Sequence, residues 1–257
     1  MINLPISSGP KITIGVSLKM YFGQARTLDW CRAVAAIARE RAALLRTDVQ
    51  LFVLPTFPAL VPVITAIGDD PVTVGAQDLH WADSGAYTGE VSGAELAEIG
   101  VRMVEVGHAE RRRLFSETDQ VINRKTVAAL RHGLVPVLCV GETERVPVKQ
   151  AITIVRDQIA AALAGAPDGR VIIAYEPLWA IGAAEPAPDD HIRAVCGALR
   201  ETPDRAGSSV IYGGAAGPGL LGRLGDTVDG LFLGRYAHDP EAVRAVLDEA
   251  TRNGSSA

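Results

Sequence analysis

The chain predicts an eight-stranded parallel (β/α)8 barrel, a single α/β domain over residues 1–257, and three observations carry that expectation. Eight short, apolar, β-rich runs recur from one end to the other. Segments with helical periodicity lie between them, and this alternation requires a parallel sheet, because each crossover needs a helix to return the chain. The length of 257 residues, 48% of them hydrophobic, suits one barrel of roughly 250 residues, although it would also admit two small domains. No linker or low-complexity break divides the middle of the chain. An open doubly wound sheet is the competing architecture. Against it, the segment after the first run reads Gly15-Val16-Ser17-Leu18-Lys19, with no Gly-x-Gly-x-x-Gly turn.

In order, the strand runs are Ile12 to Val16, Leu51 to Leu54, Val72 to Gly75, Arg102 to Val106, Val135 to Val140, Val171 to Ala174, Val210 to Tyr212 and Leu231 to Leu233. Each is short, and most have apolar neighbours on both faces of the pleat, as in strands enclosed on both sides. Apolar residues return every three or four positions in Leu28 to Leu45, Val121 to Leu130, Ala151 to Leu163, His191 to Leu199 and Pro240 to Ala250, which predicts helices there. His132-Gly133 has the look of a helix C-terminus. Loose ends are expected at residues 1–10 and 253–257.

Composition narrows the function. The 25 Lys and Arg against 30 Asp and Glu give a net charge of −5, with no basic footprint for nucleic acid or an anionic membrane. The dense run Arg111-Arg112-Arg113 reads as the solvated face of a helix. Cys31, Cys139 and Cys196 are widely spaced, with no CxxC pair and no histidine at ligand spacing, so neither disulfide nor metal site is expected. Met1 to Pro10 lacks a basic start followed by a long apolar segment, and no run is long enough to span a bilayer. A reduced, cytoplasmic location is the expectation.

In a barrel of this kind the active site forms at the carboxyl ends of the strands. Lys19 follows the first run, Gln77 and Asp78 the third, His108 and Glu110 the fourth, and Glu142 the fifth. Glu176 follows the sixth, just before Pro177, which has no N–H to continue the ladder. A carboxylate at the end of a buried strand is well placed for proton transfer, though a solvated glutamate would occupy the same position. His108 stands where a strand turns into a short helical stretch, and the positive end of the helix dipole favours a neutral ring. Tyr212-Gly213-Gly214-Ala215-Ala216-Gly217 after the seventh run and Gly234-Arg235 after the eighth offer backbone N–H groups to a phosphate.

These segments together resemble the triosephosphate isomerase family across nearly the whole chain. The matching stretches are Leu18-Lys19-Met20, Gly75-Ala76-Gln77-Asp78, Tyr87-Thr88-Gly89-Glu90, Val106-Gly107-His108, Glu110-Arg111-Arg112, Cys139-Val140-Gly141-Glu142, Ala174 to Gly182, and Ile211-Tyr212-Gly213-Gly214. The resemblance implies a TIM barrel in which Glu176 is the catalytic base, His108 a neutral electrophile and Lys19 the cation facing the substrate, the long-established assignment for that family. It implies phosphate contacts at Gly182, Gly214, Ala215, Gly234 and Arg235, a supporting role for Glu110 beside Lys19, and a lid beginning at Pro177. It further implies a small phosphorylated sugar as substrate, no metal or organic cofactor, and a homodimer built with the Tyr87-Thr88 loop.

The chain departs from the family's usual wording around the substrate. Ser17 stands in place of asparagine, Ala109 and Ala215 in place of serines, Arg235 in place of the second glycine of a pair, and Ala183-Ala184-Glu185 in place of Thr-Gly-Lys in the lid. Losing one hydrogen bond to a charged ligand costs roughly 1.5–3 kcal/mol, about tenfold or more in binding. Proton chemistry kept beside a rewritten substrate shell implies a different small phosphosugar. The wording Leu18-Lys19-Met20-Tyr21-Phe22 and Gly234-Arg235-Tyr236 is similar to that of isomerases acting on erythrulose phosphates. Triosephosphate isomerization proper and a non-catalytic phosphate-binding barrel remain the alternatives; a metal-dependent phosphosugar epimerase has no motif here.

Overall fold

The computed structural model describes residues 10–200, 205 and 207–254. Eight strands form a closed parallel barrel in chain order: β1 (Ile12–Ser17), β2 (Val49–Leu54), β3 (Thr73–Ala76), β4 (Met103–Val106), β5 (Val135–Val140), β6 (Ile172–Tyr175), β7 (Ser209–Tyr212) and β8 (Gly230–Leu233). Closure is made by β1 on β8, with Val16 opposite Leu233. The open-sheet alternative is thereby excluded.

The α-helices of the described residues are α1 (Gln24–Glu40), α2 (Ala42–Thr47), α3 (Leu60–Ile67), α4 (Gly93–Glu98), α5 (Ala109–Leu114), α6 (Asp119–Arg131), α7 (Val148–Leu163), α8 (Asp189–Arg200), α9 (Leu220–Leu224) and α10 (Pro240–Gly254). The single helix predicted over Leu28 to Leu45 is two, because Arg41 leaves helical geometry at φ −115° and ψ 22°. Its guanidinium ties instead to Asp248 of α10 at 2.6 Å. Neither glycine nor proline marks that break. The short helices α3, α4 and α9 are too brief for their periodicity to stand out in the sequence. Of the ends expected to be loose, residues 253 and 254 close α10, residue 10 is described as irregular chain, and the remainder lies outside the described residues.

Two apolar clusters organise the molecule. The larger fills the space between barrel and helices; the smaller, including Phe52, Met103, Cys139, Ala174 and Phe232, fills the barrel interior. The period-two alternation of a strand places Glu105 on the same inward side as Met103, and Glu176 on that of Ala174. Packed side chains thus form a floor, and the site lies above it. Cys139 is buried and burial raises its thiol pKa, in keeping with core packing.

Candidate active site

The residues expected at the carboxyl ends converge on one cavity of about 930 Å3, lined by Ser17, Lys19, His108, Glu110 and Glu176 at its base and by Gly182, Gly214, Ala215, Gly234 and Arg235 toward the lid. Tyr87 and Thr88 are not among its lining residues; Tyr87 is 45% exposed and stacks on His80.

Glu176 arrives at its position because β6 ends at Tyr175 and Pro177 turns the chain away. Its backbone N–H still donates to Val140 of β5 at 2.8 Å, so the residue is fixed before its side chain projects. Two neighbours must be glycine for this to happen. A β-carbon on Gly141 would lie 2.0 Å from the Glu176 carbonyl oxygen, and one on Gly213 would lie 2.6 Å from the Glu176 side chain. Glu176 is 4% exposed, and its Oε2 is buried with no hydrogen-bond partner among the described residues. Burial first, and the nearby Glu105 second, push its pKa up to about 8.

His108 caps α5 by accepting the backbone N–H of Glu110 on Nδ1 at 3.2 Å. A nitrogen that accepts carries no proton, so the neutral ring holds its hydrogen on Nε2. That nitrogen is 3.6 Å from Glu176 Oε2. Burial, followed by the positive charge of Lys19, lowers the imidazole pKa to about 4. The neutral state anticipated from the helix terminus is therefore present, with desolvation as its main cause.

Lys19 sits in a left-handed backbone conformation at φ 49°, a strain of about 1 kcal/mol or more that places the side chain in the cavity. Gln77 braces that turn, its Nε2 donating to the carbonyls of Lys19 at 3.0 Å and Leu54 at 2.9 Å. The ammonium group pairs with Glu110 at 2.7 Å. Burial acts to lower the Lys19 pKa, but the bond and charge of Glu110, with Glu176 and Glu105 behind it, outweigh burial and raise it.

Two parts of the site were not assigned by sequence reasoning. Glu142, noted only as following a strand, anchors the loop after β6: its carboxylate accepts from Tyr175 at 3.0 Å and Trp179 at 2.9 Å, and lies 3.3 Å from His191. The far end of that loop is held by the Ala187 N–H donating to Tyr212 Oη at 3.0 Å, and its middle by Arg235 donating to the Gly182 carbonyl at 3.2 Å. The other is Glu105, 3% exposed, which accepts from Ser17 Oγ at 3.0 Å. A lone acid inside the apolar run Met103-Val104-Glu105-Val106 was the signal available for it.

A shielded carboxylate, a neutral imidazole and an ammonium group below a glycine-lined rim define a barrel enzyme of the proton-transfer class acting on a phosphorylated ligand. The family model for triosephosphate isomerase matches residues 12–250, and the chain belongs to that family; it is an isomerase. It is 55% identical to an L-erythrulose-1-phosphate isomerase of Pectobacterium atrosepticum, over 97% of this chain and 100% of that one. It is 41% identical to an L-erythrulose-1-phosphate isomerase of Mycolicibacterium smegmatis, over 93% of each. Identity is 36% to a triosephosphate isomerase of a Synechococcus species, over 92% of this chain and 96% of the other. The crystal structure of triosephosphate isomerase from Bartonella henselae superposes with a TM-score of 0.78 at 26% identity, covering 94% of this chain and 99% of that one.

Proposed function

We propose that this chain interconverts tetrulose phosphates, taking L-erythrulose 1-phosphate as substrate, by moving a proton between the two carbons next to one another in its hydroxy-ketone. The observation that carries the reading is the 55% identity to an enzyme of that name over the full length of both chains, against 36% to a triosephosphate isomerase. The substitutions at Ser17, Ala109, Ala215 and Arg235 all line the cavity, where substrate identity is decided.

Glu176 removes the proton from the carbon beside the carbonyl, and the same carboxylic acid returns it to the neighbouring carbon. Between the two transfers the substrate is an enediolate whose oxygens carry the negative charge. His108 donates its Nε2 hydrogen to those oxygens, and Lys19 supplies positive charge held in place by Glu110. Gly214, Ala215 and Gly234 receive the phosphate on backbone N–H groups, and Arg235 adds a guanidinium at the rim. The lid from Pro177 onward excludes water while the enediolate exists. This chemistry asks for no cofactor, and among the described residues no group of His, Cys, Asp and Glu is arranged to hold a metal ion.

The protein acts as a cytoplasmic homodimer. Supporting the dimer, large apolar side chains stand exposed in the loops after β1, β3 and β4: Met20 at 90%, Tyr87 at 45% and Phe115 at 64%. Supporting the location, the cysteines are free and buried, and no helix among the described residues is long and apolar enough to cross a membrane. Initial rates on purified protein with L-erythrulose 1-phosphate and with glyceraldehyde 3-phosphate test the substrate. A higher kcat/KM on the tetrulose phosphate is the predicted result; a higher value on the triose phosphate would make this an ordinary triosephosphate isomerase.

A further inference from the structure

We propose that Glu105 determines specificity through Ser17: together they form a hydroxyl-reading floor that receives the terminal hydroxymethyl group of a tetrulose phosphate. The inference rests on the substrate reading above and deepens it.

The interior of a barrel is ordinarily packed with branched apolar side chains. Here an acid stands among them, directly beneath the cavity, with Met103 and Cys139 of the interior cluster as neighbours on its own strand and the next. A buried carboxylate with so little compensation is unfavourable for the fold, which an apolar residue of similar size would not be. Among the described residues, its one hydrogen bond within 3.5 Å is the bond from Ser17. The other oxygen faces Cys139 Sγ and His108 Nε2, each at 3.9 Å. Ser17 is on β1 and Glu105 on β4, so the bond between them crosses the barrel beneath the reacting groups.

Only one member of this pair meets a ligand. Ser17 lines the cavity and Glu105 does not. Above a pH of about 7 Glu105 is ionised and can only accept, so the serine's single hydrogen is then committed to Glu105 and its lone pairs are left for the cavity. Ser17 therefore presents an acceptor to the ligand, and the complementary ligand group is a hydroxyl donor.

The proposed substrate supplies one. In L-erythrulose 1-phosphate the phosphate and the terminal hydroxymethyl group lie on opposite sides of the reacting carbons. With the phosphate at the Gly182 and Arg235 rim and the reacting carbons between Glu176 and His108, the remaining group is directed inward, toward Ser17. A triose phosphate ends at the reacting carbon and has no atom there. A site built to hydrogen-bond a hydroxyl rejects the analogue that lacks it more strongly than a merely roomy apolar pocket does, because a buried polar pair is left unanswered.

The test compares wild-type protein with Ser17→Ala, Glu105→Gln and the double variant, measuring kcat and KM on L-erythrulose 1-phosphate and glyceraldehyde 3-phosphate. Each single variant is expected to lower the tetrulose-to-triose ratio of kcat/KM by about 10-fold or more, mainly through KM on the tetrulose phosphate. The double variant is expected to match the worse single, since Glu105 acts through Ser17. Parallel losses on both substrates would make Glu105 a general electrostatic partner of the base and overturn the proposal. An unchanged ratio, or fully additive losses, would overturn it too. Thermal melts accompany the kinetics, and if Glu105→Gln fails to fold, Ser17→Ala decides alone. The wild-type ratio is read first: a triose preference there defeats the substrate assignment, whereas an unmoved ratio in the variants defeats only the floor.

Discussion

The two ends of the cavity are built from different materials. At its base, Lys19, His108, Glu176 and Glu105 are side chains held largely out of water, and burial and mutual charge shift the ionisation of all four. At its rim, Gly182, Gly214, Ala215 and Gly234 offer little besides backbone, with Arg235 as the one charged side chain among them. The base is costly and suits the proposed proton transfer; the rim is cheap and suits the proposed phosphate contacts. Both buried acids illustrate the cost. Their pKa values, about 8 for Glu176 and about 7 for Glu105, lie above the ordinary 4.5, so the folded state holds protons that the unfolded chain has released. Stability contributed by the neutral acids is complete below the ordinary carboxylate range and is lost as pH rises through the folded values.

The largest effect should come from breaking the base. Glu176→Gln keeps the shape of the side chain and removes its ability to take a proton, so kcat should fall by about 1,000-fold or more while inorganic phosphate still binds at the rim, measured by calorimetry. Comparable loss of phosphate binding would show that the two ends are not separate. Breaking the rim should cost less and appear elsewhere. Arg235→Ala removes a guanidinium that also ties to Gly182, and KM should rise about tenfold with kcat changed much less. A loss confined to kcat would mean that Arg235 acts on lid closure and not on the phosphate.

The smallest effect is a displacement along the pH axis. Because the base must be ionised to act, kcat/KM should increase with pH and level off only above about 8, where Glu176 is ionised. Glu105 raises the Glu176 pKa through its charge. Glu105→Gln should therefore move the inflection to lower pH, and no movement would show that the two acids do not communicate.

How much of this could be read from the sequence follows the same division. The eight strands and the barrel were legible because each run is apolar and bounded by polar or turn residues, and Lys19, His108 and Glu176 were legible because a polar residue just beyond a buried strand has few other places to point. The interruption at Arg41 was not, since no glycine or proline marks it and the contact that goes with it is with Asp248, 207 residues away in sequence. Glu142 was visible as a residue after a strand, but its role depends on Tyr175, Trp179 and His191 meeting it in space. Glu105 was hidden in plain view, a charge inside an apolar run whose partner, Ser17, lies 88 residues earlier. Ser17 itself was legible as a departure from the family's asparagine; the structure turns its hydroxyl toward Glu105.

The central claim is that the buried carboxylate of Glu176 moves a substrate proton through an enediolate. Following L-erythrulose 1-phosphate by NMR in deuterium oxide tests it most directly. The account predicts that wild-type protein incorporates solvent deuterium at the two carbons between which the carbonyl moves and that Glu176→Gln does so at least about 1,000-fold more slowly. Isomerization that proceeds at the wild-type rate in Glu176→Gln, or deuterium uptake that survives loss of this carboxylate, would contradict it.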